Sequence, residues 1–515
     1  MLRRSCERFP DKTAIVAGDR RMSYRELDRA ANRFAHALRA TGAAKGAKVA
    51  ILSRNLLEYG VVFFGAARSG LVLVNVSIQY AAAELEYVLD KSDAEILVVD
   101  AQLADKAAAV LPKCRKIRTV VCIGRAATPI PGSDDLRSCD FEGFIAGQPE
   151  DDPRVDIVET DPFCMTYTGG TTGRPKGVLC NHRARTTTAL TVVVEEALDE
   201  RDVVAIVTPL FHVAALNIMF QPAVLVGATC VFVTPWSVDG FMNACEAEGI
   251  TAGFMVPTQA NMLVTSPGFD ANRLRSWRKL SFAGAPMPDW VQKELKAKLP
   301  NLALTQIYGQ SEVGVLTSLR DWYLPEKLGS VGRQAFNVDV ALFRTDGAEA
   351  GPGEPGEIAS RGDNVMMEYY DEPEQTAAVF RLGGGWLLTG DVGVRDEQGF
   401  ITLIDRAKDM LISGGENVYP KEIEDVIYGL DAVAECAVFG VPDEKWGEVP
   451  AAYIQLKPGT ALEVDVVVER CRQKLAEFKR PRLVKIVDEF PKTPIGKIQK
   501  NLLREPFWQG KQKKI

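Results

Sequence analysis

The chain predicts an α/β fold: a large amino-terminal domain of parallel sheets covered by helices over 1–405, then a small α+β domain over 406–515. Three observations lead there. Stretches with helical period alternate with short continuous apolar runs, which read as strands buried on both faces and joined by crossovers. At 515 residues the chain is too long for one core. The pattern also changes after Asp405-Arg406-Ala407-Lys408-Asp409, a charged join that suits a hinge better than a tether.

Taken in order, Ser23-Tyr24-Arg25-Glu26 reads as a capping box, and Leu27, Ala31, Phe34, Ala35 and Leu38 then share one helical face that ends near Gly42. Val49 to Leu52 is a short buried strand, followed by a helix to Gly70, a strand over Leu71 to Val76, a helix around Ala81 to Leu89 and a strand at Ile96 to Asp100. From Gly124 to about Thr160 Pro, Gly, Ser and Asp predict a surface excursion. Alternation resumes at Asp202 to Val207 and continues past Val313, with no internal repeat. The small domain should hold a proline-started helix at Pro420, strands at Val433 to Val441 and Ala451 to Leu456, a helix with Val466, Val468, Cys471 and Leu475, and a last strand near Leu483 to Val487.

Composition narrows the function. Net charge is −7 and pI about 5.4, which argues against a broad nucleic-acid surface. No uncharged apolar stretch reaches the ~20 residues that span a bilayer, and the start resembles no secretory signal, so a cytoplasmic protein is expected. Ten cysteines without a C-x-x-C pair read as reduced buried thiols. Gly351-Pro352-Gly353-Glu354-Pro355-Gly356 satisfies GxGxxG, but its prolines lack donors and Glu354 repels phosphate, so it reads as a turn.

The strongest chemical signal is Thr166-Tyr167-Thr168-Gly169-Gly170-Thr171-Thr172-Gly173-Arg174-Pro175-Lys176-Gly177. Four glycines, four threonines and two cations lie within these twelve residues. Glycine lets backbone N–H groups converge, hydroxyls add donors, and Arg174 and Lys176 add charge, which together make a polyphosphate cradle. It is not the Walker type, because Lys176 precedes Gly177 and Val178 instead of Ser or Thr. A flexible surface loop is the bland alternative.

This stretch resembles the signature of the adenylate-forming acyl-CoA synthetases, roughly Tyr-Thr-Ser-Gly-Thr-Thr-Gly-x-Pro-Lys-Gly, and departs from it at Gly169, where the family usually has a hydroxyl. The resemblance runs from about Asp11 to Lys500, with the motifs in family order. It implies ATP, Mg²⁺ and coenzyme A, and assigns Thr168, Lys176, Glu312 and Lys497 to catalysis. Tyr308-Gly309-Gln310-Ser311-Glu312 is similar to the family's Tyr-Gly-x-Thr-Glu motif, with Tyr308 on the adenine and Glu312 on Mg²⁺, a hard cation that suits a carboxylate. Gly284-Ala285-Pro286 resembles the segment laid along adenine and the substrate carboxylate. Thr389-Gly390-Asp391 resembles the ribose motif, since a carboxylate accepts from both hydroxyls, with Arg406 as a second contact. Lys408 is implied as hinge, Ser413-Gly414-Gly415-Glu416 as the pantetheine loop, and Lys497 in Pro491-Lys492-Thr493-Pro494-Ile495-Gly496-Lys497 as the lysine of a mobile domain that enters during adenylation. Asp443 to Glu448 and Lys479-Arg480 are implied beside incoming coenzyme A.

The implied acyl pocket takes in His212, Val213, Met255, Val256, Gly284, Tyr308, Gly309, Val313 and Gly314. Pro209 to Phe220 and Phe254 to Pro257 contain no Lys, Arg, Asp or Glu. A dicarboxylate would need a buried cation there and an amino acid a buried acid, so an apolar carboxylic acid, fatty, aryl or alicyclic, fits best. His212, one of three histidines, reads as a packing residue or a gate, not a general base, because the substrate carboxylate is already ionised.

The expected protein is thus an acid–thiol ligase acting through an acyl-adenylate, with a homodimer compatible with the sequence but not fixed by it. Three rivals stand beside it. A peptide-synthetase adenylation unit would normally feed a carrier domain, and eighteen residues follow Lys497. A luciferase-like enzyme shares every motif, and a non-catalytic nucleotide-binding module would be expected to lack Lys497 or Glu312.

Overall fold

The structure is a computed structural model of the chain and describes all residues except 128, 129, 131, 133, 134, 169–173, 286, 407, 408, 414, 415, 444, 445, 493–497 and 510–515, with the backbone alone for 405, 406, 412, 416 and 417. Two compact units emerge: Met1–Val340 with Ser360–Leu387, and Ala341–Ala359 with Leu388–Ile515.

The first unit is built on two large sheets. One has eight strands in the order Glu368–Tyr369, Lys176–Asn181, Pro162–Thr168, Val72–Asn75, Lys48–Leu52, Ala94–Asp100, Thr119–Ile123 and Arg137–Asp140. Its last six are mutually parallel, whereas Pro162–Thr168 and Lys176–Asn181 form an antiparallel hairpin and Glu368–Tyr369 pairs antiparallel with the hairpin's outer strand. The other has nine strands centred on parallel Val203–Ile206, Ala252–Met255, Lys279–Phe282 and Ala303–Gln310, the last paired antiparallel with Gly314–Leu319. Each sheet carries its own apolar core: Val74, Leu97 and Met165 in the first, Phe241, Trp277 and Phe282 in the second.

Local chemistry explains the elements. Ser23 and Glu26 form the expected capping box, Ser23 N donating to Glu26 Oε2 at 2.7 Å, and the helix Tyr24–Ala40 buries Leu27, Ala31, Phe34, Ala35 and Leu38. The predicted surface excursion after Gly124 is only partly loop. Arg137–Asp140 adds a parallel edge strand, and Asp140 caps a short helix, Phe141–Ile145, whose Phe141 stacks on Phe34 at 5.6 Å. A strand of four residues and a helix of five show no period, so their turn residues dominated the reading.

The second unit holds most of a sheet in the order Asp339–Phe343, Pro355–Arg361, Leu387–Arg395, Ile401–Arg406, and all of another of Glu416–Val418, Leu411–Ser413, Gly447–Leu456 and Val433–Asp443 with Leu483–Ile486 parallel to Gly447–Leu456. The expected helices and strands are present, and Gly353 in the false GxGxxG sits in a left-handed turn, φ +80°. The helix Val464–Lys474 buries Val467 and Cys471, while Val466 and Val468 are exposed. In a run of three valines the phase is set by the spacing of Val467, Cys471 and Leu475, four apart.

Candidate active site

The hairpin that would cradle phosphate is assembled from its strands. Pro162–Thr168 and Lys176–Asn181 pair with Thr168 opposite Lys176 and Tyr167 opposite Gly177, so the two predicted catalytic residues face each other at its mouth. Gly169, Gly170, Thr171, Thr172 and Gly173 lie outside the described residues. A Cβ on Gly177 would sit 2.7 Å from Met165 Sδ and 3.1 Å from the Tyr167 ring, so a larger residue there would displace those two side chains.

Lys176 is joined to Glu312 through one aromatic residue. The Lys176 ammonium lies 4.8 Å over the ring of Tyr369, whose hydroxyl donates to Glu312 Oε1 at 2.9 Å. Backbone bonds fix the segment that carries this tyrosine: Met366 N donates to Glu312 O at 2.7 Å, Met367 N to Leu179 O at 2.8 Å and Tyr370 N to Gly177 O at 2.8 Å. Burial first, then the charge of Glu312, pushes the Tyr369 phenol well above its ordinary value, so it remains a donor.

Glu312 itself follows a distorted strand end. Tyr308, Gly309 and Gln310 belong to the strand Ala303–Gln310, and its pairing with Gly314–Leu319 shifts register between Tyr308 and Gly309. A Cβ on Gly309 would come within 1.9 Å of Gly314 O; Gly314 has φ +64° and packs against Thr188. Val313 is buried and its carbonyl accepts from Asn364 Nδ2 at 2.7 Å. Ser311 and Glu312 are half-buried in the turn between the strands.

Among the described residues no group of three His, Cys, Asp or Glu could enclose a metal. A single carboxylate is nevertheless the donor set that suits Mg²⁺ carried on ATP, because that ion keeps its waters and phosphate oxygens. Glu312 fits that role.

Beside the hairpin mouth a cavity of about 330 Å³ is lined by Tyr87, Lys91, Arg174, Pro175, Lys176 and Glu372, with Gln375. The Arg174 guanidinium lies 5.4 Å over Tyr87, and Lys91 pairs with Asp371 and Glu372.

The residues predicted for the acyl pocket lie in the same unit, after its parallel strands. Gly284 and Ala285 follow Lys279–Phe282 and are exposed; Gly284 has φ +88° with open space on its Cβ side, and Pro286 lies outside the described residues. His212 caps the helix Val213–Ala215, its Nδ1 accepting from Ala214 N at 3.2 Å, and a π-helical turn, Leu216–Phe220, follows. Met255 closes the strand Ala252–Met255 and packs in the core with Phe282, while Val256 is half-buried at the start of the helix Pro257–Thr265.

In the second unit Asp391 is opposite Arg406 across the antiparallel pair Leu387–Arg395 and Ile401–Arg406. Thr389 Oγ1 donates to Ile358 O at 2.8 Å and accepts from Asp391 N at 3.2 Å, which fixes the turn that presents the carboxylate. Ser413 is buried and pairs with Glu416 and Gly447. Lys408, Gly414, Gly415 and Lys497 lie outside the described residues. The Lys497 segment is bounded by a bridge between Lys492 and Ile498, with Lys492 paired to Glu435 at 2.6 Å.

Sequence reasoning missed Tyr369. It stands 57 positions from Glu312, and the pair of tyrosines in Glu368-Tyr369-Tyr370 gives no local signal of a site.

A phosphate-type hairpin tied to a metal-suited carboxylate, on this two-unit α/β scaffold, defines the adenylate-forming ligases. The comparisons agree. Residues 2–370 match the AMP-binding enzyme family and residues 422–497 the AMP-binding enzyme C-terminal domain. A feruloyl-CoA synthase of Amycolatopsis sp is 37% identical over 504 residues, 97% of this chain and 96% of the relative. A long-chain-fatty-acid–CoA ligase of Mycobacterium tuberculosis is 35% identical over 510 residues, 98% of each. The ATP-bound structure of an RpMatB–BxBclM chimera superposes with a TM-score of 0.87 at 29% identity, covering 99% of both chains. The chain belongs to the AMP-binding enzyme family, and its reaction is the ATP-dependent ligation of a carboxylic acid to coenzyme A. No helix among the described residues is long and apolar enough to cross a membrane.

Proposed function

We propose that this enzyme activates an apolar carboxylic acid, fatty, aryl or alicyclic, and transfers it to coenzyme A in two half-reactions. The observation that carries the proposal is the contact chain Lys176–Tyr369–Glu312, which holds a cation and a carboxylate at one hairpin mouth. In the first half-reaction a carboxylate oxygen of the acid attacks the α-phosphorus of ATP. The new P–O bond forms as the bond to the β-phosphate oxygen breaks, and pyrophosphate leaves with that electron pair. Thr168, Lys176 and the loop 169–173 bind the departing phosphates, and Lys497 offsets charge at the α-phosphate. Glu312 is the ligand for Mg²⁺, which supplies charge neutralisation at the phosphates when bound. Tyr308, Gly309, Gln310, Ser311, Gly284, Ala285 and Pro286 line the adenine, and Asp391 with Arg406 takes the ribose.

In the second half-reaction the small domain turns about Lys408. The thiol sulfur of coenzyme A attacks the acyl carbonyl, gives up its proton, and AMP leaves. Ser413, Gly414, Gly415 and Glu416 line the pantetheine path. The acyl pocket is bounded by His212, Val213, Met255, Val256, Val313 and Gly314. The lack of charged side chains in its two wall segments supports an apolar acid, as do the feruloyl and long-chain names of the relatives.

The reading extends to a cytoplasmic enzyme, supported by ten free cysteines, and to a monomer or homodimer, distinguished by sedimentation velocity. The test is pyrophosphate release across a panel of carboxylic acids, with and without coenzyme A. Apolar acids should support release without coenzyme A and form thioester with it; a preference for dicarboxylates or amino acids would sink the assignment.

A further inference from the structure

The helix His182–Glu196 carries a charged residue that the reaction just described does not use. Arg185 is only 1% exposed and is the largest fully buried side chain among the described residues. It sits in the first turn, set by Asn181, whose Oδ1 accepts from Ala184 N at 2.8 Å. From there the guanidinium reaches two separate pieces of the candidate site. Nε donates to Cys164 Sγ at 3.3 Å, on the strand that leads into the phosphate hairpin. Nη2 donates to the carbonyl of Ser311 at 3.4 Å, the residue immediately before Glu312. Nη1 has no hydrogen-bond partner among the described residues.

The surroundings explain how a cation persists there. Cys164 and Cys180 face each other in register across the hairpin. Burial works against the charge, but a guanidinium's ordinary value lies so far above neutral that it stays protonated, and the Glu312 carboxylate favours it, while burial keeps Cys180 a neutral thiol. Taking a guanidinium out of water is still costly, and an apolar side chain of similar length would fill the same gap without that cost. A packing role alone therefore accounts poorly for an arginine here. Its two bonds run to residues 21 and 126 positions away, one on each of the two pieces that must be held in register.

We propose that Arg185 is a positioning residue, a buried cation that ties the strand feeding the phosphate loop to the Ser311–Glu312 turn and so holds the carboxylate at a set place for metal-bound ATP. This rests on the reading of Glu312 as the metal ligand. Tyr369 holds the same carboxylate through its hydroxyl, and Arg185 holds the backbone beneath it.

The test uses the full chain with Arg185→Met, which keeps length and loses charge, and Arg185→Lys, which keeps charge and loses the fork. Calorimetry measures the affinity of a non-hydrolysable ATP analogue across a Mg²⁺ titration, and pyrophosphate–ATP exchange gives KM for ATP and for the acid. Arg185→Met should raise the Mg²⁺ midpoint and KM for ATP together by about 10-fold, the loss expected for a charged hydrogen bond. KM for the acid should stay within about 2-fold, a change too small for a lost hydrogen bond, and Arg185→Lys should recover part of the Mg²⁺ shift. An unmoved Mg²⁺ midpoint in Arg185→Met, or a fall in kcat alone that tracks the folded fraction, would overturn the proposal. Should Arg185→Met fail to fold, Cys164→Ala, which removes only the Nε acceptor, must move the midpoint in the same direction or the tie is refuted. Glu312→Gln separates the two claims. If it leaves the midpoint unmoved, the metal-ligand reading fails and takes this one with it; if it shifts the midpoint and Arg185→Met does not, the Arg185 proposal alone fails.

Discussion

Glu312 takes its place from side chains far away in the chain. Tyr369 donates to its Oε1 at 2.9 Å and stands under the Lys176 ammonium, so one phenol orients the carboxylate and the cation together. Tyr369→Phe keeps the ring under Lys176 and removes only the hydroxyl. It should lower kcat/KM for ATP by about 10-fold, the range of a hydrogen bond to a charged group, while KM for the acid stays unchanged, as read from pyrophosphate–ATP exchange. A second residue sets a pH response. Glu196 is fully buried, with Ser281 bonded to it and Arg320, Glu195 and Lys279 nearby, and burial raises its carboxyl from 4.5 to about 7. Between those values the folded chain holds a proton that the unfolded chain has lost, so this group's contribution falls as pH rises from about 4.5 through about 7. The loss is on the order of 3 kcal/mol. Glu196→Gln should flatten the dependence of the unfolding midpoint on pH across that window, and an unchanged slope would show that Glu196 does not titrate there.

At the scale of elements, the helix Val464–Lys474 gives a direct comparison. Val467 is fully buried and Val466 is 48% exposed. Val467→Ala should destabilise by about 2 kcal/mol through lost transfer energy and a cavity, while Val466→Ala should stay within about 0.5 kcal/mol. Denaturant unfolding of the two variants checks this, and equal effects would contradict the phase. Where a segment was long and periodic, its place could be read directly: the helix Tyr24–Ala40 carries its cap and its buried face in its own residues. Short pieces such as Phe141–Ile145 take their structure from tertiary contact with Phe34, which no local pattern reports. The candidate site divides the same way. Thr168 and Lys176 were legible because glycines, hydroxyls and cations crowd one stretch, and the hairpin sets them opposite each other. Tyr369 and Arg185 were not, because each acts through a partner brought near only by folding.

The whole molecule comprises two units, and the proposed chemistry asks something of both. The first holds the hairpin, Glu312 and the proposed pocket residues; the second holds Asp391 opposite Arg406 and the segment with Lys497. Two half-reactions with different attacking groups, a carboxylate oxygen and then a thiol, need different neighbours at one acyl centre. A lysine that serves only the first would meet that need, since a cation at the α-phosphate helps to expel pyrophosphate and has no part in thiol attack. The most direct measurement is therefore made on Lys497→Ala, assayed separately for adenylate formation and for thioester formation from supplied acyl-adenylate and coenzyme A. Adenylation should fall by about 100-fold or more, the scale of a lost charge-stabilising group, with thioester formation within a few-fold of the unaltered enzyme; an equal loss in both halves would contradict the account.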